Sequence, residues 1–106
     1  MVTYSDEAIF QALSDGTRRD ILGLLREREC GAGEVAERFP VSRPAISRHL
    51  RVLREAGLVI QRKDAQARLY RLNPEALRAV DQWLEHYRSF WAARLTDLTR
   101  YVEEQS

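Results

Sequence analysis

Hydrophobic residues recur every three or four positions through the first half of the chain, a spacing typical of amphipathic helices. Breaks in this pattern, at glycines and at the predicted polar caps Ser5, Asp15 and Ser42, divide it into short segments. The pattern predicts helices over residues 5–14, 15–28, 32–39 and 42–57. About three residues separate the third helix from the fourth, which is the spacing of a helix-turn-helix.

The fourth predicted helix has clear start and stop residues. Ser42 can accept a hydrogen bond from a free amide of the first turn, and Pro44 fits that turn because its missing N–H has no intrahelical partner. Gly57 follows the helix, where a left-handed conformation needs no Cβ. The buried stripe is predicted to consist of Ile46, Leu50 and Leu53.

The opposite face of this helix is cationic. It carries four arginines against the single Glu55, whereas an ordinary solvated helix mixes both signs and gains from pairs of opposite charge. Such self-repulsion indicates a polyanionic partner, and we predict DNA. The predicted contacts from the helix start and outward face are Ser42, Arg43, Pro44, Ser47, Arg48, Arg51 and Arg54.

After Gly57 the apolar period changes from helical to two. Residues 58–62 and 68–72 are predicted strands, joined by a polar loop over residues 63–67 that lacks glycine. The side chains expected to face the core are Ile60, Tyr70 and Leu72. A hairpin behind a basic helix is a wing, and its predicted phosphate or minor-groove contacts are Arg62, Lys63 and Arg68.

Asn73-Pro74-Glu75 predicts the start of a last helix, over residues 74–104, which would be about 45 Å long. Its apolar stripe is longer than the small core beside it, so the far half needs other cover. The first helix and a second copy of the chain are available, although the helix folding back on its own subunit is the alternative. The predicted dimer interface consists of Ile9, Phe10, Leu13, Leu84, Tyr87, Trp91, Leu95 and Leu98.

Length and composition fit one domain over residues 1–106, with helices and wing in 1–73 and a dimerisation helix in 74–104. The net charge of +1 hides an asymmetry: residues 42–71 hold eight bases against two acids. No apolar run is long enough for membrane insertion, and the N-terminus lacks the features of a signal peptide. A lone Cys30 cannot form an internal disulfide, so we expect a cytoplasmic protein.

Four segments resemble the ArsR/SmtB family of bacterial winged-helix repressors: Leu13–Leu22, Glu34–Ala36, Val41–Val59 and Tyr70–Leu72. The resemblance covers the chain from about Phe10 to Leu72. It implies a mostly α fold with a small β-hairpin, a winged helix-turn-helix with a long C-terminal dimerisation helix. It also implies a homodimer, paired through the first and last helices, that represses transcription at an inverted-repeat operator. His49 matches the family's Ser-x-His-Leu motif, which implies a phosphate or backbone hydrogen bond.

The metal-sensing members of that family carry two cysteines before the third helix. Aligned on Glu29 and Glu34, those positions are Gly31 and Gly33 here, and Cys30 lies in the wrong register. The other known site needs several ligands on the last helix, where His86 has no histidine partner. Zinc requires three or four converging ligands. The chain therefore resembles the branch without metal sites, and we predict no metal and no cofactor.

The main hypothesis is a homodimeric, sequence-specific repressor that binds double-stranded DNA and does not respond to metal. The alternatives are a metal- or redox-responsive sensor of the same family, or a winged-helix protein-interaction module without DNA binding. No catalytic set of Cys/His or Ser/His/Asp residues and no glycine-rich phosphate loop is present in the sequence, so we do not expect an enzyme. The operator, the regulated genes and any protein or small-molecule effector are left open.

Overall fold

The computed structural model describes residues 5–105. In that range the predicted order of short helices is confirmed. The first four helices are α1 (Asp6–Leu13), α2 (Gly16–Glu27), α3 (Ala32–Arg38) and α4 (Arg43–Glu55). Each lies within two residues of its predicted bounds, because the apolar periodicity and the flanking caps are both local features of the sequence.

Three helix starts are capped by the side chains that the sequence predicts. The backbone N–H groups of Ala8, Arg18 and Ala45 donate to Ser5 Oγ, Asp15 Oδ1 and Ser42 Oγ at 3.3, 3.0 and 3.2 Å. At the end of α4, Gly57 has φ of 84°. The amides of Gly57 and Leu58 donate back to the carbonyls of Arg54 and Leu53, which closes the helix and turns the chain towards the wing.

One hydrophobic core joins the four helices to the base of the wing. The apolar stripe of α4 is fully buried in it, as predicted, together with side chains from α1, α2 and α3. The principal core residues are Ile9, Ile21, Leu25, Val35, Ile46, Leu50, Leu53, Leu58 and Val59. Burying a side chain of this size contributes about 1.5–3 kcal/mol, so the core holds α4 with its apolar side inward.

The wing belongs to a three-stranded antiparallel sheet. Its strands are β1 (Cys30–Gly31), β2 (Val59–Asp64) and β3 (Ala67–Leu72), in the order β1-β3-β2. The two-residue strand β1 was not predicted, because so short a segment carries no periodic pattern. The hairpin is also tighter than predicted: Asp64 pairs with Ala67, so that only Ala65 and Gln66 form the loop, and Ala65 takes a positive φ of 56° without glycine.

The sheet register corrects the predicted inward residues. Val59 pairs with Leu72 and is fully buried, and Tyr70 lies on the same face, so the prediction for Tyr70 and Leu72 is confirmed. Ile60 pairs with Arg71 on the opposite face and lies outside the core. The prediction for Ile60 is wrong because side chains alternate along a strand, and Val59 already points inward.

The last helix begins later than predicted. Pro74–Leu77 forms a 3₁₀ turn, and α5 runs from Arg78 to Gln105. Asn73 does not cap it with its side chain. Instead, the buried carboxamide of Asn73 donates from Nδ2 to the carbonyl of Gly57 at 2.8 Å, and its backbone amide donates to the carbonyl of Leu58 at 2.9 Å. Asn73 thus ties the exit of the wing to the exit of α4.

Most of α5 extends beyond the core. No residue of α5 is fully buried, and its large apolar side chains from Trp83 onward are 43–63% exposed, apart from the half-buried Leu84. The described chain measures 62 × 34 × 21 Å because of this extension. The architecture is mostly helical with a small sheet, a winged helix-turn-helix followed by a long C-terminal helix, which confirms the predicted fold class.

We expect Asn73→Ala to lower the free energy of unfolding by about 1–3 kcal/mol, because the buried Gly57 carbonyl would lose its donor. Urea denaturation at fixed protein concentration measures the change. The exposed Gln82→Ala on α5 is the control and should stay within about 0.5 kcal/mol of the wild type. An Asn73→Ala midpoint equal to that of the control would contradict the role given to this hydrogen bond.

Candidate nucleic-acid interface

The outward face of α4 is a continuous polar surface. With about 100° between successive residues, Arg43, Ser47, Arg51 and Arg54 form one side, and Arg48 lies farther round. All five side chains are exposed, because the apolar stripe on the other side is fixed in the core. Ser42 and Pro44 are also exposed, at the start of the helix, although the Ser42 hydroxyl is occupied as its cap.

The wing extends this surface. Arg54 donates from Nη1 to the carboxamide oxygen of Gln61 on β2, so the end of α4 is linked to the hairpin. An open cleft lies between helix and hairpin, and its lining contains three arginines and no carboxylate. The lining residues are Ser47, Leu50, Arg51, Arg54, Arg68 and Tyr70. A groove of this charge can hold phosphate groups.

The register of the hairpin separates its three predicted cations. Lys63 pairs with Arg68, so both side chains lie on the face that also carries Gln61 and Tyr70 and that faces α4. Arg62 pairs with Leu69 on the opposite face. The structure therefore brings Lys63 and Arg68 to the side of α4, but not Arg62, because neighbouring residues of a strand point in opposite directions.

Arg62 instead forms an ion pair with Glu29, which precedes β1. Its Nε and Nη2 donate to the two carboxylate oxygens of Glu29, both at 2.7 Å. This bond lowers the pKa of Glu29 and raises the pKa of Arg62. Both side chains retain solvent contact, so the pair contributes little to stability, but its two-point geometry orients Arg62 away from the cleft.

His49 is also not part of the outward face. Its ring is half-buried on the flank of α4 that faces α2, and Nδ1 lies 3.2 Å from Nη1 of Arg18. Sequence reasoning gave Arg18 no structural role. The available sequence clue was the position of a basic residue just after α1, where a helix end has free carbonyl groups.

The sequence of this chain matches the family model for bacterial regulatory proteins of the arsR family over residues 15–61. It is 41% identical to the HTH-type transcriptional regulator Rv2034 of Mycobacterium tuberculosis, over 99% of this chain and 96% of that protein. The chain belongs to the ArsR family. It is also 38% identical to the transcriptional repressor SdpR of Bacillus subtilis, over 74% of this chain and 88% of that protein.

Solved structures of ArsR-family proteins share the fold. An ArsR-like transcriptional regulator from Rhodococcus sp. RHA1 is 35% identical, with a TM-score of 0.70 and 91% of each chain covered. The homodimeric winged helix-turn-helix DNA-binding domain Mb0332 of Mycobacterium bovis is 25% identical, with a TM-score of 0.64, over 83% of this chain and 93% of that one. The protein is thus a DNA-binding transcription regulator with a winged helix-turn-helix, and these relatives point to a non-enzymatic role.

This ArsR-family chain has no convergent metal-ligand set within residues 5–105, where no group of three or more His, Cys, Asp or Glu side chains comes together. Cys30 on β1 is 1% exposed, and burial raises the pKa of its thiol. The thiolate is the form that binds metals and reacts with oxidants, so this environment disfavours both reactions. Over the same residues, no helix is long and apolar enough to cross a membrane.

The two faces of the wing give matched variants for a salt experiment. We expect Lys63→Ala combined with Arg68→Ala to weaken all DNA alike and to flatten the slope of log affinity against log salt by about one unit per cation removed. Arg62→Ala removes one positive charge from the opposite face and should leave the slope unchanged. Binding titrations between 50 and 200 mM salt, a range of roughly fourfold, measure both slopes. Equal slopes for the double variant and the wild type would contradict a wing contact.

Proposed function

We propose that this protein is a homodimeric transcriptional repressor that binds an inverted-repeat operator and does not respond to metal ions. The observation that carries the proposal is the uncovered apolar face of α5 in a molecule whose α4 presents a cationic face. We propose that it works in the cytoplasm, where its DNA target lies, and requires no cofactor. The repressor role is supported by the identity to SdpR, a named repressor.

The dimer is supported by the area and continuity of this apolar face. The face forms one stripe along α5. It joins α5 to α1, because the rings of Trp83 and Phe10 contact edge to face with their centroids 5.9 Å apart. The half-buried Leu13 and Leu84 lie at its near end. The exposed members are Trp83, Tyr87, Phe90, Trp91, Leu95, Leu98, Tyr101 and Val102. A monomer rarely leaves so large an apolar surface uncovered.

Ile9 is the exception among the predicted interface residues. It is 2% exposed and packs inside the core of its own subunit, so a second copy has no access to it. The competing arrangement, in which α5 folds back on its own subunit, is disfavoured by the extended helix. Mb0332, of the same fold, is described as homodimeric.

A symmetric dimer would place two copies of α4 on one side of a DNA duplex. Helix-turn-helix dimers of this kind bind half-sites about 34 Å apart, in successive major grooves. We propose that Arg43, Ser47 and Arg48 contact base edges, since they lie on the exposed first half of α4. Arg51, Arg54, Lys63 and Arg68 would then hold phosphate groups along the cleft.

Selection of duplexes from a random library tests the DNA proposal and identifies the operator sequence in the same experiment. The wild type should select an inverted repeat, and Arg48→Ala should bind it about 1–3 kcal/mol more weakly and lose discrimination at one position of each half-site. Equal losses on selected and random duplexes would make Arg48 a phosphate contact.

Deletion of the gene should raise transcription from promoters that carry the repeat, whereas a fall would indicate an activator.

Trp91→Ala tests the interface. Because a buried aromatic side chain is a typical hot spot, we expect the variant to weaken dimerisation by about 2–4 kcal/mol. Operator affinity should fall with it, although Trp91 contacts no DNA in this proposal. Sedimentation over a range of concentrations measures the dimer, with Ser89→Ala on the polar side of α5 as the control. A monomeric wild type at micromolar concentration would overturn the dimer proposal.

Metal independence is tested on the wild-type complex with the selected duplex. Stoichiometric zinc, cadmium or arsenite should not release the DNA, and calorimetry with zinc should show no proton release from thiolate ligation. This expectation is supported by the burial of Cys30 and by the absence of a second cysteine from the sequence, so that no second thiolate can join it in binding metal. A tight stoichiometric zinc complex that releases the duplex would place this protein among the metal-responsive members instead.

A further inference from the structure

The C-terminal end of α1 is closed by two arginines of α2. Arg18 donates from Nε to the carbonyl of Ala12 at 2.7 Å and from Nη2 to that of Gln11 at 3.2 Å. Arg19 donates from Nη1 to the carbonyl of Leu13 at 2.7 Å. The last carbonyls of a helix have no intrahelical donor, and they carry partial negative charge, so both guanidinium groups stabilise this end of α1.

Arg18 differs from Arg19 because it also reaches α4. Its Nη1 lies 3.2 Å from Nδ1 of His49, and both side chains are half-buried. A guanidinium group has donors only, so Nδ1 of His49 is the acceptor in this contact. The Asp15 carboxylate accepts from the backbone amide of Arg18, and this bond lowers the pKa of Asp15. Both the main chain and the side chain of Arg18 are therefore held.

We propose that Arg18 is a positioning residue that fixes the recognition helix α4 relative to α1 through His49. This inference rests on the proposed function, in which α1 borders the dimer interface and α4 enters DNA. The planar guanidinium group of Arg18 bonds α1 and α4 at once, so a shift of α1 at the interface moves the flank of α4. Arg18 thereby couples the arrangement of the two subunits to the spacing of their recognition helices.

The geometry argues against a phosphate contact by Arg18. Its three side-chain nitrogens each bond a protein acceptor, and His49 holds Nη1 against the flank of α4, not on its outward face. A lysine at this position would keep the charge but could not bond both helices with a fixed fork. Asparagine at position 49 would keep an acceptor near the place of Nδ1, whereas alanine would remove it.

The test compares Arg18→Ala, Arg18→Lys, His49→Ala and His49→Asn on the duplex that the wild type selects, with Arg19→Ala as the matched control. We expect the first three variants to bind the duplex about tenfold more weakly, His49→Asn to retain most of the affinity, and Arg19→Ala to stay within about twofold of the wild type. The double variant Arg18→Ala/His49→Ala should lose no more affinity for the duplex than the single variant with the larger loss, because the two changes break the same contact.

Any one of the following results would overturn the proposal. A salt slope that falls by about one unit in Arg18→Ala would make Arg18 a phosphate contact. Losses that add in the double variant, or that are equal in His49→Asn and His49→Ala, would show that the two side chains do not act through one another. An equal loss in Arg19→Ala would reduce Arg18 to a cap of α1. Sedimentation should give unchanged dimerisation for Arg18→Ala, and a matching loss there would assign the effect to assembly.

A measurement without DNA separates this inference from the proposed function. Amide hydrogen exchange of the free protein should be faster by about tenfold around His49 in Arg18→Ala and Arg18→Lys, but unchanged there in Arg19→Ala. If the wild type selects no duplex, the proposed function fails while this exchange pattern still supports the contact. If exchange in α4 is the same in all three variants, the positioning role fails whether or not DNA is bound.

Discussion

Burial of one apolar stripe on α4 determines how the rest of the molecule is arranged. Ile46, Leu50 and Leu53 are in contact with the core, so α4 has only one rotation about its axis that keeps them from water. That rotation turns the arginine-rich side outward. The positive φ of Gly57 then directs the chain into β2, whose first residue, Val59, returns to the same core. The helix and the wing are thus held by one set of contacts.

The charges of the chain separate into those that bind within the protein and those directed outward. Arg18 and Arg19 bond the end of α1, Arg62 bonds Glu29, and Arg88 bonds Asp81 and Glu85 on α5. Arg51 and Arg54 of α4 and Arg68 of the wing instead line an open cleft whose lining contains no acid. A near-neutral protein can therefore present a local surface suited to DNA, because a binding partner responds to the local field and not to the total charge.

The long C-terminal helix presents the opposite situation, an apolar surface without cover in its own subunit. Aromatic rings follow one another along it, with Trp83 and Tyr87 at 5.1 Å and Tyr87 and Trp91 at 6.5 Å between centroids. The same stripe reaches α1 through Phe10, and α1 reaches α4 through Arg18 and His49. A continuous set of contacts therefore leads from the surface proposed for pairing to the helix proposed to read DNA.

The sequence by itself determined the helices, their caps, the existence of the wing and the family, because these depend on residues within a few positions of one another. Ser5, Asp15 and Ser42 cap by reaching three residues along the chain, and Gly57 acts at its own position. The buried stripe of α4 followed from its spacing alone. Local features of this kind can be predicted from the sequence before the fold is known.

Only the tertiary structure decided which side chains share a face or a partner. The three consecutive apolar residues Leu58 to Ile60 fit either phase of β2, and the prediction chose the wrong one by placing Ile60 inward. The observed phase places Lys63, and not Arg62, beside α4. The Arg18–His49 and Arg62–Glu29 contacts span 31 and 33 residues. Asn73 lies where a helix cap is expected, but its side chain bonds the carbonyl of Gly57 instead. Ile9, predicted at the dimer interface, lies inside the core. In both cases contacts between distant segments outweigh the local preference.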